Sequence, residues 1–338
     1  SVILGPAGNS CPTSYTKLTT MPECRAGLRL VGHYGDSYQG QENDADWPSG
    51  CYYCDDVDWC SDGAWLNVAT TGSSNGGAKP YCSLDFKPLA VGETLYVGDS
   101  DIDYWDESLD LITPSYNVGF GGYTCKDVRN EMSQISSALN PSTVVLVCGE
   151  NDIGYGHSVT KTLTFFNEVV DHYIAGGSRV IYIGTKPEPA TTDIHDKYNE
   201  YDTAIAARAA TLASSANNLP PLIMIDSNAG FVAVGNGADL YADDGLHLST
   251  AGYSLWGSWL KAAVEATGDD EKCYLWKSGV CVEGGGGGGS VGEGATDAPT
   301  NAPTNAPTNA PTNAPTPAAT EAEKEEEAGD TIKIGNGG

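Results

Sequence analysis

The sequence predicts an α/β protein whose parallel sheet is covered by helices on both faces, and three observations predict it. Short apolar runs of strand length recur at 94–97, 116–118, 143–148, 179–183 and 222–225. Segments with apolar residues at helical spacing lie between and after them, at 125–139, 160–175, 198–214 and 250–266. Each run gives way to a turn or a glycine, and strands that alternate with helices make βαβ units.

Taken in order, the first run (TLYV) stops at Gly98-Asp99-Ser100 and the second (YNV) at the turn GFGGYT. The segment 125–139 then places Val128, Met132, Ile135 and Leu139 on one helical face. The third run (TVVLVC) is apolar without alternation, as a strand buried on both faces requires, and it ends at Gly149-Glu150-Asn151-Asp152. RVIYI and LIMI repeat that composition, and the last helical segment aligns Tyr253, Trp256, Leu260 and Ala263.

Around this region the composition changes. Residues 1–88 are rich in Gly, Ser, Asn, Asp and Trp and show little periodicity, which predicts a loop-dominated module stapled by disulfides. The α/β region spans 91–266, and 267–283 reads as a disulfide-closed extension outside that domain. Residues 284–338 hold a glycine run, an Asn-Ala-Pro-Thr repeat and an acidic end; such a segment buries too little to offset its ordering entropy and is expected to be a disordered tether. Its Thr-Pro pairs suit O-glycosylation, whereas no permitted Asn-x-Ser/Thr sequon occurs.

Charge excludes whole classes of partner. With 45 acidic and 17 basic residues the net charge is −28, and neither nucleic acid nor an anionic membrane surface is an expected partner. No apolar run is long enough to span a membrane. The chain begins with Ser1 and shows no basic-then-apolar leader, as expected where a secretory signal has been removed. Six of the ten cysteines (Cys11, Cys24, Cys51, Cys54, Cys60 and Cys82) fall in the first module, which argues for an oxidising, extracellular setting. The Cys51/Cys54 pair lacks the second pair a zinc site needs, so no metal is expected. Cys273 and Cys281 read as a local disulfide; Cys125 and Cys148 are either paired or buried thiols, with Cys148 read as packing.

Four stretches stand at expected strand ends or on a late loop: GDS at 98–100, GFGGYT at 119–124, GEND at 149–152 and DDGLH at 243–247. Ligand sites of open α/β sheets form at such ends. Together with NVGFGG, GENDI, TKPEPA and DGLHLSTAGYSLW, these stretches resemble the SGNH (GDSL-type) hydrolase family, in its acyl-hydrolase/esterase branch, over about residues 91–266. The resemblance implies a three-layer α/β/α sandwich with a flavodoxin-like parallel sheet, preceded here by a Cys-rich extracellular module. Asp101 departs from the leucine in the family name.

The resemblance assigns roles that residue chemistry explains. A serine hydroxyl needs a base, so Ser100 is the expected nucleophile, His247 the base and Asp244, rather than Asp243, the residue that orients the imidazole. The oxyanion would be met by the N–H of Ser100, the N–H of Gly122 and the amide of Asn151, with Ser100 at a helix start. Asp99, Tyr104, Trp105, Tyr155 and Lys186 are candidate pocket residues, and Asp99 and Asp152 are expected to bond loop backbone. His33, His157, His172 and His195 are expected to be surface or structural residues. No cofactor is called for.

The implied function is a secreted serine esterase, free or wall-associated, cleaving short acyl groups from carbohydrate or small esters. Its rival is a non-catalytic matrix or carbohydrate-binding protein on a hydrolase scaffold, for which the Trp-bearing first module (Trp47, Trp59, Trp65) would be the binding part.

Overall fold

A computed structural model describes residues 1–34, 38–54, 62–90, 92–216 and 219–284. Trp59, Cys60 and the repeat-bearing tail beyond Gly284 lie outside the described residues.

The strands β1 (Val2–Leu4), β2 (Thr16–Lys17), β3 (Tyr38–Glu42), β4 (Gly50–Cys54), β5 (Gly63–Asn67) and β6 (Lys79–Ser83) form one sheet in the order β1-β6-β4-β5-β3, with β2 also on β6. The helix α1 (Met21–Leu30) lies among them. Within the module expected to be loop-dominated the structure places this sheet: β4, β5 and β6 are buried on both faces, so no period-2 alternation betrays them. Disulfides Cys11–Cys82 and Cys24–Cys51 staple the layer, and Cys54 is disulfide-bonded as well, which leaves no CxxC thiol for zinc.

The second sheet holds β7 (Thr94–Gly98), β8 (Ser115–Asn117), β9 (Thr143–Val147), β10 (Arg179–Ile183), β11 (Leu222–Asp226), β12 (Leu275–Lys277) and β13 (Val280–Glu283). Its order is β13-β12-β11-β10-β9-β7-β8, and all pairs are parallel except β12 with β13. The five strands from β7 to β11 therefore take the flavodoxin-like 2-1-3-4-5 order, whose switch point falls between β7 and β9. The 267–283 extension stands inside this domain, because β12 pairs along β11 and the Cys273–Cys281 hairpin closes the sheet edge.

Helices follow the strands: α2 (Ser100–Asp103), α3 (Ser108–Leu111), α4 (Cys125–Leu139), α5 (Glu150–Gly154), α6 (Val159–Ala175), α7 (His195–Ser215), α8 (Ser227–Ala233) and α9 (Thr250–Val264). Alternate strand residues feed two cores. Leu95, Val97, Val144, Leu146 and Val180 pack with Val128, Phe166 and Ile205, while Tyr96, Val145, Val147, Ile181 and Ile223 pack with Trp256, Trp259 and Leu260. That division makes the three layers.

One buried acid joins a strand end to a helix. Asp202 of α7 accepts from Tyr182 Oη at 3.0 Å, Thr185 N at 3.0 Å and Thr185 Oγ1 at 2.8 Å. Burial outweighs these donors and pushes its carboxyl from 3.8 up to about 7. The folded chain thus holds this proton more tightly than the unfolded chain, so the contribution is full below pH 3.8 and is lost as pH rises to about 7. Asp202→Asn is expected to flatten the fall in stability across that window, read as urea midpoints between pH 4 and 8. Parallel pH curves for the two proteins would contradict it.

Candidate active site

The two strands that flank the switch point each end in a tight turn that delivers a polar residue. After β7, Asp99 caps α2 by accepting from Asp101 N at 3.0 Å, and Ser100 opens the helix. The helix is a single turn of four residues, so its dipole adds little at Ser100. After β9, Gly149 has φ +123 and turns the chain into α5, where Asn151 follows Glu150.

Opposite them, the loop before α9 brings two more groups. His247 Nε2 lies 2.9 Å from Ser100 Oγ, and His247 Nδ1 lies 2.7 Å from Asp244 Oδ2. Asp244 Oδ1 accepts from the N–H groups of Leu246 and His247, at 2.9 and 3.0 Å. Partial burial raises the Asp244 carboxyl, but the Leu246 N–H and the His247 ring and N–H outweigh it and hold it below its usual value. Asp243 is exposed, and the ring nitrogen it would contact is taken by Asp244.

The glycine turn follows β8 and packs on α2. Gly119 packs so closely that a Cβ there would sit 2.5 Å from Asp103 N, and Gly122 has φ +76. Asn117 fastens the turn by donating to Ile102 O at 2.7 Å and accepting from Gly119 N at 2.9 Å. Asn151 Nδ2 donates to Tyr123 O at 2.9 Å, which uses one of its two hydrogens. The Cys125–Cys148 disulfide ties the start of α4 to the end of β9, so Cys148 is a cross-link and not packing alone.

Ser100, Asn151, Tyr155, Leu246 and His247 line one cavity of about 210 Å³, together with Asp99, Lys186 and Glu188. Gly122 is not among its lining residues; it lies next to it, where a Cβ would be 3.7 Å from Tyr155 Oη. Tyr104 sets its ring 4.8 Å from that of His247, edge-on, and braces the imidazole. Trp105 corrects an expectation: it is buried against Tyr96, Tyr253 and Trp256 and belongs to the core, where its large apolar ring is removed from water. Asp99 and Asp152 bond loop backbone, the latter to Cys125 N at 2.7 Å. His33, His157, His172 and His195 contact Tyr81, Asp152, Ser136 and the Glu188 carbonyl, away from the Ser100 hydroxyl.

One wall of the cavity is an ionic cluster of which sequence reasoning named Lys186 and missed its partners. The buried Lys186 ammonium bonds Asp101 Oδ2 and Glu150 Oε2, each at 2.7 Å, and Glu188 Oε1. Burial opposes its charge, but those three carboxylates outweigh burial and raise its pKa. Burial drives Asp99 and Glu150 well above the usual carboxylate range, whereas the ion pair with Lys186 outweighs burial at Glu188 and lowers it. Among the described residues, Asp101, Glu150 and Glu188 are the group close enough to share a cation, and the lysine fills that place. A usable signal was the acid at position 101, since a charge beside a buried strand end demands a counter-ion.

At the carboxyl end of β7, Ser100 thus stands in a hydrogen-bonded line with His247 and Asp244 of the loop before α9. Residues 92–255, just under half of the chain, match the GDSL-like lipase/acylhydrolase family. The match is to that family's domain and supports a hydrolase of ester bonds. No curated protein matches the sequence. Among solved structures, an acetyl-xylooligosaccharide esterase of Geobacillus stearothermophilus is similar at 16% identity, covering 54% of this chain and 98% of that one, with TM-score 0.44. A GDSL-like lipase of Bacteroides thetaiotaomicron is similar at 19% identity over 52% and 88%, with TM-score 0.40.

Proposed function

We propose that the protein is a secreted serine esterase that removes short acyl groups from small or carbohydrate alcohols through an acyl-enzyme on Ser100. The observation that carries this reading is the unbroken hydrogen-bonded line Asp244–His247–Ser100, opening on a cavity shared with Asn151. Ser100 Oγ attacks the ester carbonyl carbon and its proton passes to His247 Nε2. Asp244 fixes the tautomer and stabilises the imidazolium. The oxyanion is met by the N–H of Ser100, the N–H of Gly122 and the second amide hydrogen of Asn151. His247 then protonates the leaving alkoxide, and a water that it deprotonates releases the acid from Ser100.

Substrate size follows from the cavity. At about 210 Å³ it is smaller than pockets that enclose drug-sized ligands, which favours acetyl over long acyl groups. Its walls set Asp99, Glu150, Lys186 and Glu188 beside Tyr155, Tyr198 and Leu246, so polar and apolar groups share the small space. The charge of −28 disfavours anionic polymers and lipids at approach. Secretion is supported by four disulfides among the described residues, with no free cysteine there, and by the absence of a described helix long and apolar enough to cross a membrane.

The test is hydrolysis of p-nitrophenyl esters from acetate to palmitate. Turnover is expected to be highest for acetate and to fall with chain length; activity that rises with length would overturn the short-acyl reading, and a folded chain inert to every ester would favour a binding scaffold. Asn151→Ala is expected to lower kcat about 10²- to 10³-fold with KM little changed. An effect confined to KM would remove Asn151 from the oxyanion site.

A further inference from the structure

The turn that carries Gly122 and Tyr123 is held from behind by a helix outside the family domain. α1 is capped by Thr20, which accepts from Glu23 N at 3.4 Å while Glu23 accepts from Thr20 N at 3.1 Å, and Cys24–Cys51 fastens it to β4. Arg25 and Arg29 stand one helical turn apart on its face toward the active-site domain, each only 2% exposed.

Each arginine reaches one end of the turn. Arg29 pairs with Asp103, three residues past Ser100, and Asp103 Oδ2 accepts from Gly121 N at 3.0 Å. Arg25 bonds Glu131 at 2.8 Å and the Tyr123 hydroxyl, and its guanidinium lies 4.6 Å from the Phe120 ring centroid and 4.8 Å from that of Tyr123. The Tyr123 carbonyl is the acceptor of Asn151 Nδ2. Two short chains of contact thus run from α1, one to the residue before Gly122 and one to the side chain of Asn151.

We propose that the N-terminal region is a positioning element of the esterase site, in which Arg25 and Arg29 set the 119–124 turn so that Gly122 and Asn151 aim at the oxyanion. The proposal rests on the oxyanion roles given above. Neither arginine touches substrate; each acts through Tyr123 or Asp103. A displacement of about 1 Å in such a donor costs on the order of 100-fold in rate. Lysine in place of arginine keeps the charge but loses the planar fork and the ring stacking.

The experiment compares full-length Arg25→Lys, Arg29→Lys and the charge-balanced pairs Arg25→Met/Glu131→Gln and Arg29→Met/Asp103→Asn, the last of which keeps an acceptor for Gly121 N. Thermal unfolding establishes which are folded at the assay temperature, and the lysine variants guard against loss of the pairs. The expected result is a kcat on p-nitrophenyl acetate about 10- to 100-fold lower, with KM within twofold, and a milder loss in the lysine variants than in the pairs. Folded variants with wild-type kcat, or with changes in KM alone, would overturn the proposal. Ser100→Ala and Asn151→Ala run beside them separate the cases: if Asn151→Ala is silent the oxyanion assignment fails, and if it is slow while the arginine variants are fast only the positioning role fails.

Discussion

Replacing Ser100 by alanine is expected to lower kcat on p-nitrophenyl acetate on the order of 10⁴- to 10⁶-fold while leaving the chain folded. The Ser100 side chain bonds only His247 among its described partners, and it stands half-buried at the cavity, so its loss opens no core void. What disappears is the atom that forms the acyl bond. His247→Ala is expected to cost a similar factor, because without the base at 2.9 Å the hydroxyl keeps its proton. The double variant should be little worse than either single one, since the two groups act as a unit. Multiplicative losses, or a Ser100→Ala protein with wild-type turnover, would contradict the relay.

Replacing Lys186 by methionine is expected to act on stability rather than on chemistry alone. The ammonium is the one cation among Asp101, Glu150 and Glu188, with Asp99 close by, and all five groups are buried. Removing one partner of a buried ionic cluster leaves charge uncompensated, at a cost of about 3–5 kcal/mol. For a folded part of this size that lowers Tm by roughly 5–8 °C. The sign with pH is fixed by the same cluster. Glu188 is the carboxyl the lysine holds low, so its loss removes stability that is present at neutral pH, and the deficit shrinks as pH falls through the carboxylate range. Lys186→Met/Asp101→Leu, which removes a charge of each sign, should recover part of the loss. A Tm unchanged by Lys186→Met would show that the cluster contributes nothing net.

Legibility followed burial geometry. The strands β7, β9, β10 and β11 announced themselves because parallel strands between two helix layers are continuous apolar runs, and α4 and α9 because their apolar residues recur at helical spacing. The N-terminal sheet did not, since Gly50–Cys54 and Gly63–Asn67 mix glycine, cysteine and tyrosine and are buried on both faces without a continuous apolar run. Ser100, Asn151, Asp244 and His247 were readable as motifs at strand ends and on the loop before the last helix. Trp105 was not separable from Tyr104 and Tyr155 by adjacency to a motif, because just past α2 a residue packed on His247 and a core residue are neighbours in the chain. The partners of Lys186 come from the ends of three different strands, and no spacing along the chain brings them together.

The nucleophile can be marked directly. A small alkyl fluorophosphonate reacts with an activated serine by forming an O–P bond as fluoride leaves, and peptide mapping then locates the phosphonyl group. One adduct per chain on Ser100 is expected, formed rapidly by the wild type and at least 100-fold more slowly by His247→Ala, an order of magnitude set by the loss of a general base. A label on any other residue, or no label on a chain that hydrolyses p-nitrophenyl acetate, would contradict Ser100 as the attacking group.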